Sequence, residues 1–197
     1  MEIVLATRNK KKIEEIKRTT ADLPLIILSL DNFPDCPETV EDRDSFEGNA
    51  IKKATEVCRY TGKTALADDS GLEVDALGGA PGIYSARYAG GGSDVRNYEK
   101  LLDDLNNVPD NKRGARFVCC MAIAYPDGTI ETFFGYVKGS ITREAKGKTG
   151  FGYDPVFIPE GHNITFAEMS GEEKDRLSHR GKAVEKVVKF LHSSLHL

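Results

Sequence analysis

Two neighbouring carboxylates follow a short apolar segment of the chain. Residues 64–67 have a strand-like composition, and Asp68 and Asp69 come directly after them, followed by Ser70 and Gly71. Because successive side chains of a strand point to opposite sides, one carboxylate can face a cleft while the other braces the backbone. Mg²⁺ is commonly bound by one or two carboxylates together with phosphate oxygens of a substrate. The pattern therefore predicts a magnesium site, with an Asx turn at a strand end as the alternative.

A basic segment lies where an opening strand, expected at residues 3–6, leads into a helix expected at residues 10–22. Such a junction collects unpaired backbone N–H groups and the positive end of the helix dipole, so it can bind phosphates. A solvated basic first turn is the alternative. The residues concerned are Thr7, Arg8, Asn9, Lys10, Lys11 and Lys12.

An acidic loop, residues 31–44, precedes the helix that carries Lys52 and Lys53. The loop could be a solvated face, or it could supply a further metal ligand beside the aspartate pair. Its candidate carboxylates are Glu38, Glu41 and Asp42.

An aromatic segment lies at the end of a glycine-rich loop, residues 147–152. Rings that stack on a base, with fixed donors and acceptors at the edge of that base, are what purine recognition needs. A β-turn with packed aromatic side chains is the alternative. The candidate residues are Phe151, Gly152, Tyr153 and Asp154, with Lys174, Ser178, His179 and Arg180 expected ahead of a final helix.

The remaining pattern predicts strands that alternate with helices. One helix is expected to begin at Asp44, which forms a capping box with Glu47, and to end at Gly62. Residues 64–67 and 72–74 predict two separate short strands. Further expected elements are a strand at residues 25–28, a helix capped by Ser93, a β-hairpin of residues 117–125 and 129–137, and a strand at residues 156–158. We therefore expect an α/β fold that forms a single domain over residues 1–197.

The composition excludes several classes of protein. The chain has 197 residues with 27 Lys plus Arg against 31 Asp plus Glu, unlike a dedicated nucleic-acid binder. Its apolar runs fall far short of the roughly 18 residues that a membrane span needs. The order of the first residues, apolar and then basic, is the reverse of a signal peptide and predicts a cytoplasmic protein. Four cysteines without metal-ligand spacing, Cys36, Cys58, Cys119 and Cys120, are expected to be reduced.

Four blocks, in order along nearly the whole chain, resemble the inosine triphosphate pyrophosphatase family. The family's Ser/Thr-x-Asn-x-x-Lys opening corresponds to Thr7, Asn9 and Lys12. The other blocks are ADDSGLEVDALGGAPGIYSARYAG at residues 67–90, FGYDP at residues 151–155 and SHRG at residues 178–181. The resemblance implies Mg²⁺-dependent hydrolysis of ITP, dITP and XTP between the α and β phosphates. It also implies an elongated mixed sheet with flanking helices, two lobes around a central cleft, and a homodimer.

The same resemblance implies a role for each matched residue. Asp69 would accept a proton from the attacking water and bind Mg²⁺, and Glu41 would be the second acidic ligand. Because Asp42 and Arg43 stand where the family has Thr-Gly, Glu38 is the alternative to Glu41. The triphosphate would be held by Thr7, Arg8, Asn9, Lys10, Lys11, Lys12 and Lys53, with Ser70 also on the substrate. The nucleotide pocket would be lined by Phe151, Gly152, Tyr153, Asp154, Lys174, His179 and Arg180.

Base discrimination has a simple physical form in this scheme. Hypoxanthine and xanthine present a 6-oxo acceptor where adenine presents a 6-amino donor, so a donor such as Arg180 or His179 would leave adenine mispaired. An unpaired buried polar group costs roughly 1–3 kcal/mol. Two other functions are alternatives: a pyrophosphatase for other nucleotides, and a nucleotide sensor or RNA-binding module that uses Lys10 to Lys12. The negative net charge and the intact Asp69 argue against the sensor or RNA-binding module.

Overall fold

The computed structural model describes residues 1–194, which form six strands and five helices. The strands are β1 (Glu2–Leu5), β2 (Ile26–Ser29), β3 (Ala65–Val74), β4 (Gly114–Ala124), β5 (Ile130–Ile141) and β6 (Phe157–Pro159). The helices are α1 (Lys10–Thr19), α2 (Phe46–Thr61), α3 (Asp94–Asp104), α4 (Gly171–Leu177) and α5 (His179–Ser194). Within residues 1–194, no helix is both long enough and apolar enough to cross a bilayer.

All six strands belong to one sheet, in the order β2-β1-β3-β4-β5-β6. β1 is parallel to β2 and to β3, with Leu5 opposite Leu66, whereas β5 and β6 are antiparallel. β4 and β5 are joined by a tight turn in which the Tyr125 N–H donates to the Thr129 carbonyl at 2.9 Å. The predicted α/β class, the mixed sheet and the β-hairpin are therefore confirmed.

The chain divides into two compact units. Unit 1 contains Met1–Asp69, Cys119–Gly135 and the chain from Arg180 onward, and unit 2 contains Ser70–Val118 and Tyr136–His179. The core of unit 1 joins strands β1, β3 and β4 to helices α1 and α5 through Ile3, Leu5, Leu66, Met121, Ile16, Val184 and Val187. The core of unit 2 joins the parts of β3, β4 and β5 that belong to this unit to α3 and β6. Its residues include Leu72, Leu101, Phe117, Val137 and Phe157. The single-domain organisation stays a prediction.

Strand β3 runs unbroken from Ala65 to Val74, so the expectation of two short strands is wrong. The polar residues in its middle do not end the strand because both Asp68 and Asp69 are buried beside cationic side chains. The adjacent backbone is also satisfied, since the Leu72 N–H donates to Ser85 Oγ at 2.9 Å. The two carboxylates thus lie inside a strand, and the Asx-turn interpretation is wrong as well.

The ends of the helices differ from their prediction in small ways. Ser45 caps α2 by accepting a hydrogen bond from the Gly48 N–H at 3.1 Å, so Asp44 is not the cap. The predicted end at Gly62 is confirmed, because this residue has a φ of 67°, which a glycine adopts without strain. His179 and Arg180 begin α5 rather than precede it, and the short helix α4 was not expected. All four cysteines are free and buried, as predicted.

Candidate active site

Asp68 and Asp69 occupy successive positions of β3 in unit 1, and their side chains point to opposite sides of the strand. Asp68 is 2% exposed and Asp69 is 6% exposed. Buried carboxylates require cations or hydrogen-bond donors, because removing a charge from water is costly. Each of the two finds a separate set of partners within unit 1.

The observed partners of Asp69 come from helix α2, and one of them also contacts the acidic loop. Lys53 Nζ lies 3.0 Å from Asp69 Oδ1 and 2.9 Å from Glu41 Oε1, so one ammonium group joins the two carboxylates. Asn49 Nδ2 donates to the other oxygen, Asp69 Oδ2, at 3.2 Å. Glu38, by contrast, is exposed. The structure therefore brings together Asp69, Lys53 and Glu41 from the predicted set.

The partners of Asp68 come from the two ends of unit 1 in the sequence. Lys12 Nζ of α1 lies 3.0 Å from Asp68 Oδ2, and Arg180 Nη2 of α5 lies 3.2 Å from the same oxygen. Arg180 Nη1 also donates to Glu15 of α1. Because this guanidinium is 3% exposed and contacts two carboxylates, it holds the start of α5 against β3 and α1. A donor role of Arg180 toward a base stays a prediction.

These surroundings shift the two pKa values in opposite directions. Burial acts to raise the pKa of Asp68, but the charges of Lys12, Arg180 and Lys53 outweigh it and hold that pKa well below its usual value. Burial raises the pKa of Asp69; Lys53 opposes the rise and Glu41 adds to it. Asp69 is therefore the better proton acceptor of the two at neutral pH, because an acceptor works best when its pKa approaches the working pH.

The basic junction lies between β1 and α1 as expected, but a side chain of the segment itself accepts from two of the helix N–H groups expected to be unpaired. Asn9 caps the helix, and its side-chain oxygen accepts from the N–H groups of Lys11 and Lys12 at 3.1 and 3.3 Å. Thr7 Oγ1 accepts from the Asn9 N–H at 3.2 Å. Arg8 donates to the Cys36 carbonyl at 3.0 Å. Lys12 of this segment forms an ion pair with Asp68 of β3, and Lys10 and Lys11 are exposed.

The donor set beside Asp69 fits a divalent cation. Oxygens of Glu41 and Asp69 both contact a single ammonium nitrogen, so both lie within reach of one cation. Among the residues that the structure describes, no three His, Cys, Asp or Glu side chains group closely enough to hold a metal by themselves. A pair of carboxylates is nevertheless what Mg²⁺ uses when phosphate oxygens complete its shell.

A second buried ion pair lies in unit 2. Asp154 Oδ2 accepts from Lys174 Nζ at 2.7 Å and from the Phe151 N–H at 2.8 Å, and both charged residues are buried. Lys174 Nζ also lies 4.6 Å from the centre of the Phe151 ring. Gly150 has a φ of 76°, and a Cβ there would lie 2.2 Å from Asp154 Oδ2, so only glycine fits. Asp154, Lys174 and Phe151 thus form one cluster, and their role in lining a nucleotide pocket stays a prediction.

The remaining predicted residues of unit 2 have other contacts. Tyr153 is buried, and its hydroxyl donates to the Ser85 carbonyl at 2.8 Å. The Gly152 N–H donates to Asp94 Oδ2 at 2.9 Å, and the His179 ring stacks on Phe117 with 4.6 Å between ring centres. Ser70 is half-buried on β3. Whether these residues contact a substrate stays a prediction.

A family model described as the Ham1 family matches residues 3–190. The chain belongs to the Ham1 family. This Ham1-family chain is 50% identical over 192 residues to a dITP/XTP pyrophosphatase of Desulforamulus reducens, which covers 97% of this chain and 96% of that protein. It is similar to the solved structure of a HAM1 protein from Coxiella burnetii, with a TM-score of 0.90, 39% identity and coverage of 98% and 99%. It is also similar to the Ham1 protein of Staphylococcus aureus, with a TM-score of 0.88, 41% identity and coverage of 98% and 100%. The resemblance stated from the four sequence blocks is therefore confirmed.

Two residues of this Ham1-family site were not among the sequence-based candidates. Glu15 pairs with Arg180, and Asn49 donates to Asp69. Asn49 did carry a signal, because it lies at helical spacing between Phe46 and Lys53 on a side of α2 expected to be apolar. A polar residue on a buried helix face needs a hydrogen-bond partner. The Asp68–Asp69 pair, in the strand that follows α2, is a candidate for that partner. Glu15 carried no comparable signal, since it lies among other charged residues of α1.

Proposed function

We propose that this Ham1-family protein hydrolyses the non-standard purine nucleoside triphosphates ITP, dITP and XTP to the monophosphate and pyrophosphate. This reaction removes such nucleotides before they are incorporated into DNA or RNA. The names of the similar proteins support the class of reaction. The single observation that carries the chemistry is the buried Asp69 carboxylate, which shares the Lys53 ammonium with Glu41.

Hydrolysis of a phosphoanhydride needs little covalent chemistry from the protein. The main requirements are a positioned water, an acceptor for its proton, and positive charge near the phosphate oxygens. Asp69 is the proposed proton acceptor, because burial raises its pKa above the usual value of an aspartate. Asp68 is unsuited to that role, since its cationic partners stabilise the ionised form.

The proposed phosphate ligands lie at the start of α1 and on α2. Lys12 and Lys53 each contact one of the two aspartates, and they place positive charge on both sides of β3. The side chains of residues 7–12 supply further donors beside the positive end of the α1 dipole, where Asn9 and Thr7 accept from the N–H groups of Lys11, Lys12 and Asn9. Ser70, the residue after Asp69, is the remaining proposed contact of the substrate.

Glu41 and Asp69 are the residues that would hold Mg²⁺, and their shared contact with Lys53 favours Glu41 over Glu38. When bound, Mg²⁺ would neutralise negative charge on the phosphate oxygens. Lys53 would then hold the two carboxylates in place or transfer one of its hydrogen bonds to a phosphate. Either arrangement keeps positive charge next to the developing negative charge.

The cluster of Phe151, Asp154 and Lys174 in unit 2 is the proposed base-recognition element. The half-buried Phe151 offers a ring for stacking, while the buried ion pair behind it fixes the backbone of the loop. His179 is the favoured donor toward the 6-oxo group, because the Arg180 guanidinium contacts Asp68 and Glu15. Gly152 and Tyr153 belong to the same loop as Phe151. Arg180 has an indirect role in this proposal, because it pairs with Asp68 instead of facing the base.

We further propose that the protein acts in the cytoplasm as a homodimer. Four free, buried cysteines are what a reducing compartment preserves. The dimer is an expectation from the family resemblance, and sedimentation equilibrium over a range of protein concentrations tests it directly.

The decisive experiment measures the products from ITP, XTP, dITP, GTP and ATP, each with Mg²⁺ and with EDTA. We expect pyrophosphate and a monophosphate from ITP, XTP and dITP with Mg²⁺, and little turnover with EDTA or from GTP and ATP. In water labelled with heavy oxygen, attack at the α phosphorus puts the label in the monophosphate. Label in pyrophosphate would instead show attack at the β phosphorus.

Three outcomes would contradict the proposal. Release of inorganic phosphate and a diphosphate would mean that another bond is cleaved. Equal turnover of ATP and ITP would remove the specificity for non-standard purines. Absence of turnover of all five nucleotides, from a folded protein, would leave a nucleotide-binding function without hydrolysis.

A further inference from the structure

Asn49 is a buried amide to which neither the proposed reaction chemistry nor the family resemblance assigns a role. It is 1% exposed and lies near the start of α2. Its Nδ2 donates to Asp69 Oδ2 at 3.2 Å, and its Oδ1 accepts from the Arg43 N–H at 3.0 Å. The two partners define the orientation of the amide, because a carboxylate can only accept and a backbone N–H can only donate.

Asn49 and Lys53 lie one helical turn apart, so their side chains emerge from the same face of α2. Together they contact both oxygens of Asp69: Asn49 contacts Oδ2 and Lys53 contacts Oδ1. Rotation of an aspartate carboxylate about its last torsion is otherwise loosely restricted. Two donors on separate oxygens therefore fix the plane of the Asp69 carboxylate.

The same pair of side chains also holds the acidic loop. Lys53 contacts the side chain of Glu41, and Asn49 contacts the backbone of Arg43, two residues further along. Each therefore makes one contact with Asp69 and one with residues 41–43. The distance between Asp69 and Glu41 is thus set by two residues of one rigid helix.

We propose that Asn49 is a positioning residue, which orients the Asp69 carboxylate and fixes Glu41 relative to it. This inference rests on the proposed function, in which Asp69 accepts the proton and both carboxylates bind Mg²⁺. Asn49 touches neither water nor substrate in this role, and acts only through Asp69 and the acidic loop. Residues that orient metal ligands from behind typically change metal affinity or activity by about 10- to 100-fold when they are replaced.

The main test is Asn49→Ala, which removes both hydrogen bonds. We expect kcat for ITP to fall by about 10- to 100-fold, while KM for ITP changes much less, because the phosphate ligands are retained. Titration calorimetry with Mn²⁺ alone, without nucleotide, should show weaker binding by a similar factor. A merely structural role of Asn49 would lower thermal stability without producing this split between kcat and KM.

Asn49→Asp tests the contact of Asn49 with Asp69 separately from its contact with the acidic loop. The new carboxylate can still accept from the Arg43 N–H, but it cannot donate to Asp69 when ionised. We expect kcat to fall here too, and thermal stability to fall at least as far as in Asn49→Ala, because an ionised carboxylate would lie against the buried Asp69 carboxylate. Unchanged kcat at pH 8, where ionisation of the new carboxyl is favoured, would show that Asn49 only holds the loop, and the orienting role would be overturned. If neither Asn49→Ala nor Asn49→Asp folds, Asn49→Ser, which keeps a small polar side chain, carries the test through the same kcat and Mn²⁺ measurements.

Asn97 provides a matched control in unit 2. It is 2% exposed and lies on α3, and its amide also bridges a loop, accepting from the Ala89 N–H at 2.9 Å and donating to the Ala86 carbonyl at 3.1 Å. Asn97→Ala should lower thermal stability by a comparable amount and leave Mn²⁺ binding unchanged. An equal loss of Mn²⁺ binding in Asn97→Ala would attribute the effect of Asn49→Ala to general destabilisation.

Failure of this inference and failure of the proposed function have different signatures. A wild-type protein that releases no pyrophosphate contradicts the proposed function, and the Mn²⁺ titration then still tests Asn49. An active wild type whose Asn49→Ala variant keeps kcat and Mn²⁺ affinity within about twofold overturns the positioning role alone.

Discussion

The two sides of β3 show how neighbouring aspartates acquire different properties. On one side, Asp68 contacts two cations, Lys12 and Arg180, and its pKa lies well below the usual value. On the other side, Asp69 shares the single Lys53 ammonium with Glu41, and its pKa is raised. The residue type and the strand are the same, so the difference comes from the ratio of cations to carboxylates around each side chain.

This ratio separates a structural role from a chemical one. A carboxylate with surplus cations stays ionised and ties elements together, as Asp68 ties α1 and α5 to β3. A carboxylate that shares its paired cation with another carboxylate, as Asp69 does, retains an affinity for protons and for a further cation. The comparison therefore predicts that replacement of Asp68 mainly affects stability, and that replacement of Asp69 mainly affects turnover.

The largest expected effect is on turnover in Asp69→Asn. An amide of the same shape cannot accept the proton of the attacking water, so kcat for ITP should fall by roughly 10²- to 10⁴-fold. Nucleotide binding, measured by equilibrium titration without added metal, should stay measurable because the phosphate ligands remain. Full activity of Asp69→Asn would remove both the general-base and the metal role.

The next effect concerns stability in Asp68→Asn. Neutralising Asp68 removes the observed ion pair of the partly buried Lys12 and one of the two observed ion pairs of the buried Arg180, which keeps Glu15, and breaking one partner of such a group costs about 3–5 kcal/mol. Asp69→Asn should cost clearly less, because Lys53 keeps its contact with Glu41. The free energies of unfolding of both variants in urea decide this point. Equal losses would mean that the cation count does not distinguish the two sides of β3.

Much of the fold could be predicted from periodicity and turn chemistry. The β4–β5 hairpin follows from two apolar runs around Pro126, Asp127 and Gly128, and the end of α2 follows from Gly62. The predicted interruption of β3 is wrong because the charged side chains of Asp68 and Asp69 are buried, whereas charged residues in a sequence usually indicate solvent exposure. Lys12 and Arg180 lie 56 residues before and 112 residues after Asp68, and no local pattern shows that they meet it.

The candidate site, like the fold, can be predicted only in part from residues that are close together in the sequence. The residue pattern and the resemblance together identify Asp69, Lys53 and Glu41 as candidates, and the structure brings Lys53 into contact with both carboxylates within unit 1. Asn49 was missed because its importance depends on Arg43 and Asp69 at once, and the second of these is 20 residues away. Residue types and local spacing thus identify candidates, whereas the pairing of charges requires the fold.

A smaller effect, on substrate affinity, is expected for Lys12→Ala. The lost ammonium is a proposed phosphate ligand and also a partner of Asp68, so KM for ITP should rise at least about tenfold, with a smaller change in kcat. Lys17→Ala is the matched control, because Lys17 is an exposed lysine near the other end of α1. If both variants raise KM equally, the effect comes from net charge rather than from a specific contact.

The smallest effect is a dependence of stability on pH that differs between the two aspartates. Because the pKa of Asp68 is lowered in the folded state, its stabilising contribution is complete above the unfolded pKa of about 3.9 and is lost as the pH falls below it. The stability advantage of the wild type over Asp68→Asn should therefore shrink by about 1 kcal/mol between pH 7 and pH 3.

For Asp69 the sign is reversed: its raised pKa means that acidification toward the unfolded value relieves an unfavourable charge. The difference in unfolding free energy between wild type and Asp69→Asn should thus move in favour of the wild type over that interval. Urea unfolding at several pH values measures both trends, and parallel trends in the two variants would contradict the opposite pKa shifts on which the comparison rests.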